Sequence, residues 1–279
     1  MNPYLGLICC CWLAVTSTAC LADNSDRFGS PPSRVKIALI IDDLGNQLVA
    51  GERALALPGA VTYAFLPQTP FAWMLASKAN RLNKEVMLHQ PMESDNGNRL
   101  GNGALTLSMS RAQFTRTLQQ NLASIPYVAG VNNHMGSLLT RDPTAMRWLM
   151  NELRTAGLYF IDSRTTDATV AERVASANLV ATSRRHVFLD NTPQEREIRQ
   201  QLRQLLKMAH TQGHAIGIAH PYPQTLAVLH QELPKLNQQG IELVPVSELI
   251  QSGRPLWHAY SSPSPKDAKS SKQSPSLIY

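Results

Sequence analysis

The chain has 279 residues, 43% of them hydrophobic and 16% charged, with a formal net charge of +6. That apolar content fills a sizeable core and excludes a disordered polymer; the mild basic excess suits an anionic envelope polymer or surface, and no aromatic-interleaved basic motif points to nucleic acid. All four cysteines (Cys9, Cys10, Cys11 and Cys20) lie within the first twenty residues, so the body carries neither a disulfide framework nor thiolate chemistry.

The stretch LGLICCCWLAVTSTA is uncharged and apolar, with Ser17 and Ala19 at cleavage spacing. Residues 1–22 therefore read as a signal peptide, which places the protein in the periplasm or cell envelope, and Cys20 offers a lipid anchor as an alternative. The run is shorter than the roughly 20 residues of a spanning helix, so no spanning helix is expected after cleavage. Residues 23–33 read as a linker, 34–252 as the folded body, and 253–279, rich in Ser, Pro and Lys, as a disordered tail.

Within the body, strand-length apolar runs recur at 35–41, 61–66, 85–89, 128–133, 158–162, 186–190, 215–220 and 241–246. Helical patterns lie between them. Less sharply delimited ones occupy 47–57, 70–82 and 223–239. Ser110 with Gln113 forms a capping box; Asp142 caps a helix with Pro143 at its first position and Gly157 at its end. Thr192, Pro193 and Glu195 give a further capping signature for a long helix closed by Gly213. Trp73 and Trp148 fall in helical patterns and read as core. Alternating strands and helices imply parallel pairing, hence an α/β barrel or an open doubly wound sheet.

Many of the runs end in Asp or His: Asp42 with Asp43, His89, His134, Asp162, Asp190 and His220. In a parallel barrel the C-terminal strand ends share one mouth, so these groups converge there. One Asp and two neutral His make an O,N,N ligand set for zinc or a similar divalent ion, with a position left for water. A further carboxylate and imidazole can then move protons in metal-assisted hydrolysis of an amide or ester. A phosphoesterase on the same barrel lacks a phosphate-cradling glycine-rich loop. Asn132, Asn133 and Ser137 are candidates for sugar hydroxyls. Asp162 with Arg164, and Asp190, are candidates for supporting a ligand or the base.

The blocks IALIIDDLG, EVMLHQPM, GVNNHMGS, YFIDSRT, VFLDN and AIGIAHPYP, spread over residues 34 to 250, resemble the divergent polysaccharide deacetylase (YibQ-like) family, related to the NodB-type carbohydrate esterases. The resemblance implies a distorted (β/α) barrel of seven or eight mostly parallel strands, one divalent metal ion, expected to be Zn2+, and removal of N-acetyl groups from an amino-sugar glycan. It implies Asp42 as catalytic base, Asp43 and His89 as metal ligands, and His220 as the acid that assists the leaving group. The esterases carry a second histidine four residues after the first, where this chain has Glu93. His134 is the expected substitute, ahead of Glu93. The Arg-Pro-Tyr type block is absent, which leaves oxyanion contacts unassigned. The alternative reading is a catalytically inactive barrel that binds envelope glycan or a cell-wall enzyme; no motif names a protein partner.

Overall fold

The computed structural model describes residues 34–252. The expected signal peptide with Cys20, the expected linker and the expected tail lie outside the described residues. In chain order the elements are β1 (Val35–Leu44), α1 (Leu48–Leu55), β2 (Thr62–Phe65), α2 (Ala72–Arg81), β3 (Val86–Met92), α3 (Arg111–Ser124), β4 (Val128–Met135), α4 (Pro143–Ala156), β5 (Tyr159–Asp162), α5 (Ala171–Ala177), β6 (Thr182–Arg184), β7 (Val187–Phe188), α6 (Glu195–Gln212), β8 (His214–Ala219), α7 (Pro223–Glu232), β9 (Ile241–Leu243) and α8 (Val246–Ser252).

The sheet runs β6-β5-β4-β3-β2-β1-β8-β7, with β9 paired to the start of β1. All its strand pairings are parallel. The two ends of this path, β6 and β7, are halves of one extended segment. Arg185 N–H still donates to Asp162 O on β5, and His186 N–H already donates to Ile216 O on β8, both at 2.9 Å. The chain thus curls the sheet into a distorted barrel by changing partner within two residues. Val187 and Phe188 alone carry the strand expected over 186–190, whereas β6 was not expected, because Thr182–Arg184 has no apolar run to signal it.

Alternation along each strand divides the core in two. Ala38, Ile40, Ala64, Met87, Tyr159, Ile161, Ile216 and Ile218 form an inner cluster, joined by Val246, Leu249 and Ile250 around α8. Intervening residues such as Ile37, Leu39, Ile41, Tyr63, Leu88, Val131 and Phe160 form the larger core against the helices. Thr62 Oγ1 and Glu85 Oε1 accept the first N–H groups of α8, at Val246 and Ser247, near the N-terminal ends of β2 and β3. The opposite end is the mouth.

Local signals mostly act as read. Asp142 accepts from Thr144 and Ala145 N–H at 2.8 and 2.7 Å, and Gly157 ends α4 at φ 69°. The Ser110–Gln113 box forms in full. The Thr192 signature does not, since α6 begins at Glu195 behind Gln194 with no side-chain cap; Gly213 ends that helix in the left-handed region. The pattern over 223–239 breaks after Glu232 into two 3-10 turns, the first containing Pro234, whose ring removes a backbone donor. Trp148 packs edge-on against Phe114, but Trp73 is 65% exposed and is not core.

The inner cluster and the caps differ in what they contribute. Ile40→Ala, which leaves a void between β1 and its neighbours, is expected to lower unfolding free energy by ~2–5 kcal/mol, against ~1 kcal/mol for Asp142→Ala, measured as urea midpoints at unchanged slope.

Candidate functional site

Strand alternation sends neighbouring side chains to opposite faces, so Asp42 and Asp43 cannot both enter the mouth from a regular strand. β1 solves this with a bulge. Ile41 pairs with Tyr63 and Leu44 with Phe65, so two residues, Asp42 and Asp43, stand opposite Ala64 alone. Asp43 takes up the extra residue at φ 58°, a left-handed conformation that Asp tolerates better than most side chains. Asp42 continues the inward series of Ala38 and Ile40, and Leu44 resumes the outward one.

The other groups arrive by parity. His89 follows inward Met87 on β3, and Asn132 and His134 take the inward face of β4. Parallel register pairs His89 with Asn132 and Pro91 with His134. His220 follows Ile216 and Ile218 off the end of β8, and Asp190 follows Phe188.

Three ligand-type atoms meet at one point. Asp43 Oδ1 is 2.9 Å from His134 Nδ1 and 3.1 Å from His89 Nε2, and the two imidazole nitrogens are 3.1 Å apart. Among the described residues this is the cluster of His, Cys, Asp or Glu able to hold an ion. Donor atoms each ~2.1 Å from one cation are separated by about 3.0–3.4 Å, so the triangle fits a zinc-class ion. Its chemistry fits as well. His89 Nδ1–H donates to Asn132 Oδ1 at 2.8 Å, which turns Nε2 toward the Asp43 carboxylate oxygen. Asp43 Oδ1 is itself buried, and its polar neighbours are His89 Nε2 and His134 Nδ1, neither aligned for a regular hydrogen bond. A carboxylate oxygen and two imidazole nitrogens at such distances require a shared positive charge, a proton or a cation. Burial works against the Asp43 carboxylate, but the His134 and His89 imidazoles prevail and hold it well below the usual range. Glu93 is not at this point; its Oε2 accepts from Leu107 N–H.

Asp42 lies 2% exposed beneath the triangle, with Oδ1 accepting from Asn132 Nδ2 at 2.8 Å. Desolvation prevails and raises its pKa, against the opposing pull of His89, His220 and Asn132. On the far side His220 donates Nδ1–H to Asp190 Oδ1 at 2.9 Å, and its Nε2 lies 3.9 Å from Asp43 Oδ2. Asp190 also accepts from His220 N–H and Thr225 Oγ1, so it is saturated and fixed. Burial lowers the His220 pKa, but Asp190, Asp42 and Asp43 raise it further, to about 9. At neutral pH this imidazole carries a proton.

The remaining candidates do not meet this point. Asp162 has the outward parity of Phe160 and accepts from Arg164 N–H and Thr169 Oγ1, which caps the turn after β5. The Arg164 guanidinium pairs with Asp167 rather than with Asp162. Asn133, buried on the outward side, donates to Met135 O and accepts from Ser163 N–H, so its amide is committed to backbone. Asn132 is wholly buried between His89 and Asp42, out of reach of a sugar hydroxyl. Ser137 ties Asp95 to the loop after β4 through a 2.6 Å bond. His186, outside the site, accepts from Ile216 N–H, and burial beside His214 pulls its pKa down to about 4.

Sequence reasoning missed Thr225 and Arg185. Arg185, at the change of partner between β6 and β7, donates to the carbonyls of Ser163 and Arg164 and lies 3.8 Å over the Phe188 ring. Burial, with Arg164 nearby, brings its pKa down to about 10. Its strand has no hydrophobic signature, and no signal marked it.

Two clefts of about 400 Å³ each share Asp43 and Asn46. One is bounded by Arg99 to Asn102 and His134, the other by His220 to Pro223. The site therefore opens on both sides of Asp43.

This arrangement can be set beside known proteins. A solved protein from Agrobacterium tumefaciens C58 shares the fold at TM-score 0.76 and 24% identity, covering 79% of this chain and 91% of that one. The structure of T48 deacetylase with substrate superposes at TM-score 0.51 and 11% identity, covering 79% and 93%. YibQ of Escherichia coli (strain K12) is 36% identical over 221 residues, 79% of this chain and 69% of its own. A Haemophilus influenzae protein is 34% identical over 214 residues, 77% and 76% of the two chains. Residues 39–250 match the divergent polysaccharide deacetylases, and with relatives aligned across most of the body the chain belongs to that family.

Proposed function

We propose that the protein is an exported, metal-dependent hydrolase that removes N-acetyl groups from an amino-sugar polymer of the cell envelope. The observation that carries this reading is the convergence of Asp43, His89 and His134 on one point, with Asp42 and His220 on its two sides. Family membership supports an acetylated glycan as substrate, and the clefts on either side of Asp43 suit a chain that continues in both directions. The apolar leader supports export; among the described residues no helix is long and apolar enough to cross a membrane.

A divalent cation of the zinc class held by Asp43, His89 and His134 would supply Lewis acidity toward a carbonyl oxygen. The protein's own groups supply the proton traffic. Asp42, buried and oriented through its Oδ1, takes a proton from the attacking water; His220, held protonated by Asp190, delivers one from Nε2 to the departing nitrogen. Water is consumed, the amide C–N bond breaks, and acetate and a free amine leave.

Three outcomes test this. Purified protein is expected to bind one zinc, with the stoichiometry lost in Asp43→Ala, His89→Ala and His134→Ala by metal analysis after dialysis; retention in all three overturns the site. Asp42→Asn is expected to keep zinc and to release acetate from an N-acetylated glycan at least ~10²-fold more slowly. The third concerns pH. His220 acts as acid only while protonated, so the rate falls as pH rises through its pKa. Asp190→Asn removes the charge that raises that pKa and is expected to move the alkaline limb of the kcat profile to lower pH, whereas an unmoved limb would assign it to another group.

A further inference from the structure

We infer that Asn132 is a positioning residue whose single amide fixes both the base and a metal ligand: it selects which nitrogen of His89 faces the cation and which oxygen of Asp42 faces the substrate. This rests on reading Asp42 as base and Asp43, His89 and His134 as ligands.

Asn132 is the cross-strand partner of His89 and is fully buried. Both ends of its amide are engaged at 2.8 Å, Oδ1 with His89 Nδ1 and Nδ2 with Asp42 Oδ1. The direct His89 Nδ1 to Asp42 Oδ1 separation is 3.7 Å, too long for a hydrogen bond, so the amide stands between them. Polarity then follows in one direction. An ionised carboxylate only accepts, which turns the amide NH2 toward Asp42 and its carbonyl toward His89. A carbonyl also only accepts, so His89 must carry a proton on Nδ1, and Nε2, the atom in the triangle, is the nitrogen left for a cation. The same amide occupies Oδ1 of Asp42 and leaves Oδ2 for water. An imidazole oriented through its second nitrogen is a common device in metal sites; here the orienting group is shared with the base. An asymmetric amide is needed for this: a carboxylate could serve His89 but not Asp42, and an apolar side chain could serve neither.

The discriminating pair is therefore Asn132→Asp and Asn132→Leu, each in the full-length protein. Asn132→Asp keeps the acceptor for His89 and removes the donor to Asp42; Asn132→Leu removes both. Zinc affinity by calorimetry is expected to be undiminished in Asn132→Asp and about 10- to 100-fold weaker in Asn132→Leu. For acetate release at about pH 8, kcat is expected to fall at least ~10²-fold in both, with KM little changed. Imidazole nitrogen NMR of the zinc-loaded protein is expected to show His89 protonated at Nδ1 and metal-bound at Nε2 in the wild type and in Asn132→Asp, and a mixture of the two ring orientations in Asn132→Leu. A purely structural residue would not split metal affinity from turnover in this way. Wild-type kcat in Asn132→Asp overturns the coupling while leaving the deacetylase reading intact, as does unaltered zinc affinity in Asn132→Leu. Should Asn132→Leu fail to fold, Asn132→Asp alone decides. A wild type that binds no zinc overturns the underlying reading and this inference with it.

Discussion

Two carboxylates on consecutive residues can share one side of a strand only where the strand gives up its alternation, and the site depends on the place where β1 does so. The bulge at Asp42 and Asp43 inserts one residue into the β1–β2 ladder, so that Asp42 keeps the inward parity of the barrel interior while Asp43 turns back over the rim. A regular strand would have sent Asp43 outward against the helices, in line with Ile37, Leu39 and Ile41, where an unpaired charge is costly. The bulge therefore decides both where the charge goes and whether the strand is stable. It also separates the two carboxylates chemically: Asp42 sits below, buried and oriented by an amide, whereas Asp43 sits above, 32% exposed and beside two imidazoles.

The mouth concentrates Asp42, Asp43, His89, His134, Asp190 and His220, and its polar groups are arranged for charge rather than for packing. Asp190 is fully satisfied by His220 and Thr225, and the Asp42–Asn132–His89 chain satisfies its members in sequence. Asp43 Oδ1 is the exception, a buried oxygen without a donor at the centre of the cluster. In a fold that satisfies the neighbouring groups so thoroughly, this one oxygen, facing two imidazole nitrogens, is where a local rule is broken.

Much of this was legible in the sequence, and the limits are instructive. The parallel architecture followed from strand-length runs alternating with capped helices, and the strand-end Asp and His residues named the groups of the mouth. Parity was the part of the signal left unused. Counting by twos from the inward residues would have sorted Asp42, His89, Asn132, His134, Asp190 and His220 from Asn133 and Asp162, which point outward and cap backbone. Other features had no signal to read. The segment Thr182–Phe188 closes the barrel with polar and basic residues because it changes partner midway, so neither half is long enough to show a period. The Thr192 capping pattern has the right letters, yet α6 starts three residues later. Trp73, apolar in a helical pattern, faces solvent because the pattern gives a face but not what covers it.

The second histidine of the Asp43 cluster shows how one register replaces a local motif. At the position four residues after His89, where the sequence pattern of the NodB-type esterases has its second histidine, this chain has Glu93, which holds the following loop through Leu107 instead. The second imidazole comes from the next strand, and the β3–β4 register that pairs His89 with Asn132 also sets His134 two residues higher on the same face. A slip of one residue would turn Val131, Asn133 and Met135 inward and take Asn132 and His134 out of the mouth together. Val131, at 0% exposure in the outer core, resists that slip, because it would carry an apolar side chain into a charged mouth and a polar one into the helix layer. Ordinary hydrophobic packing on the outside of the barrel thus holds the spacing of the polar groups within it.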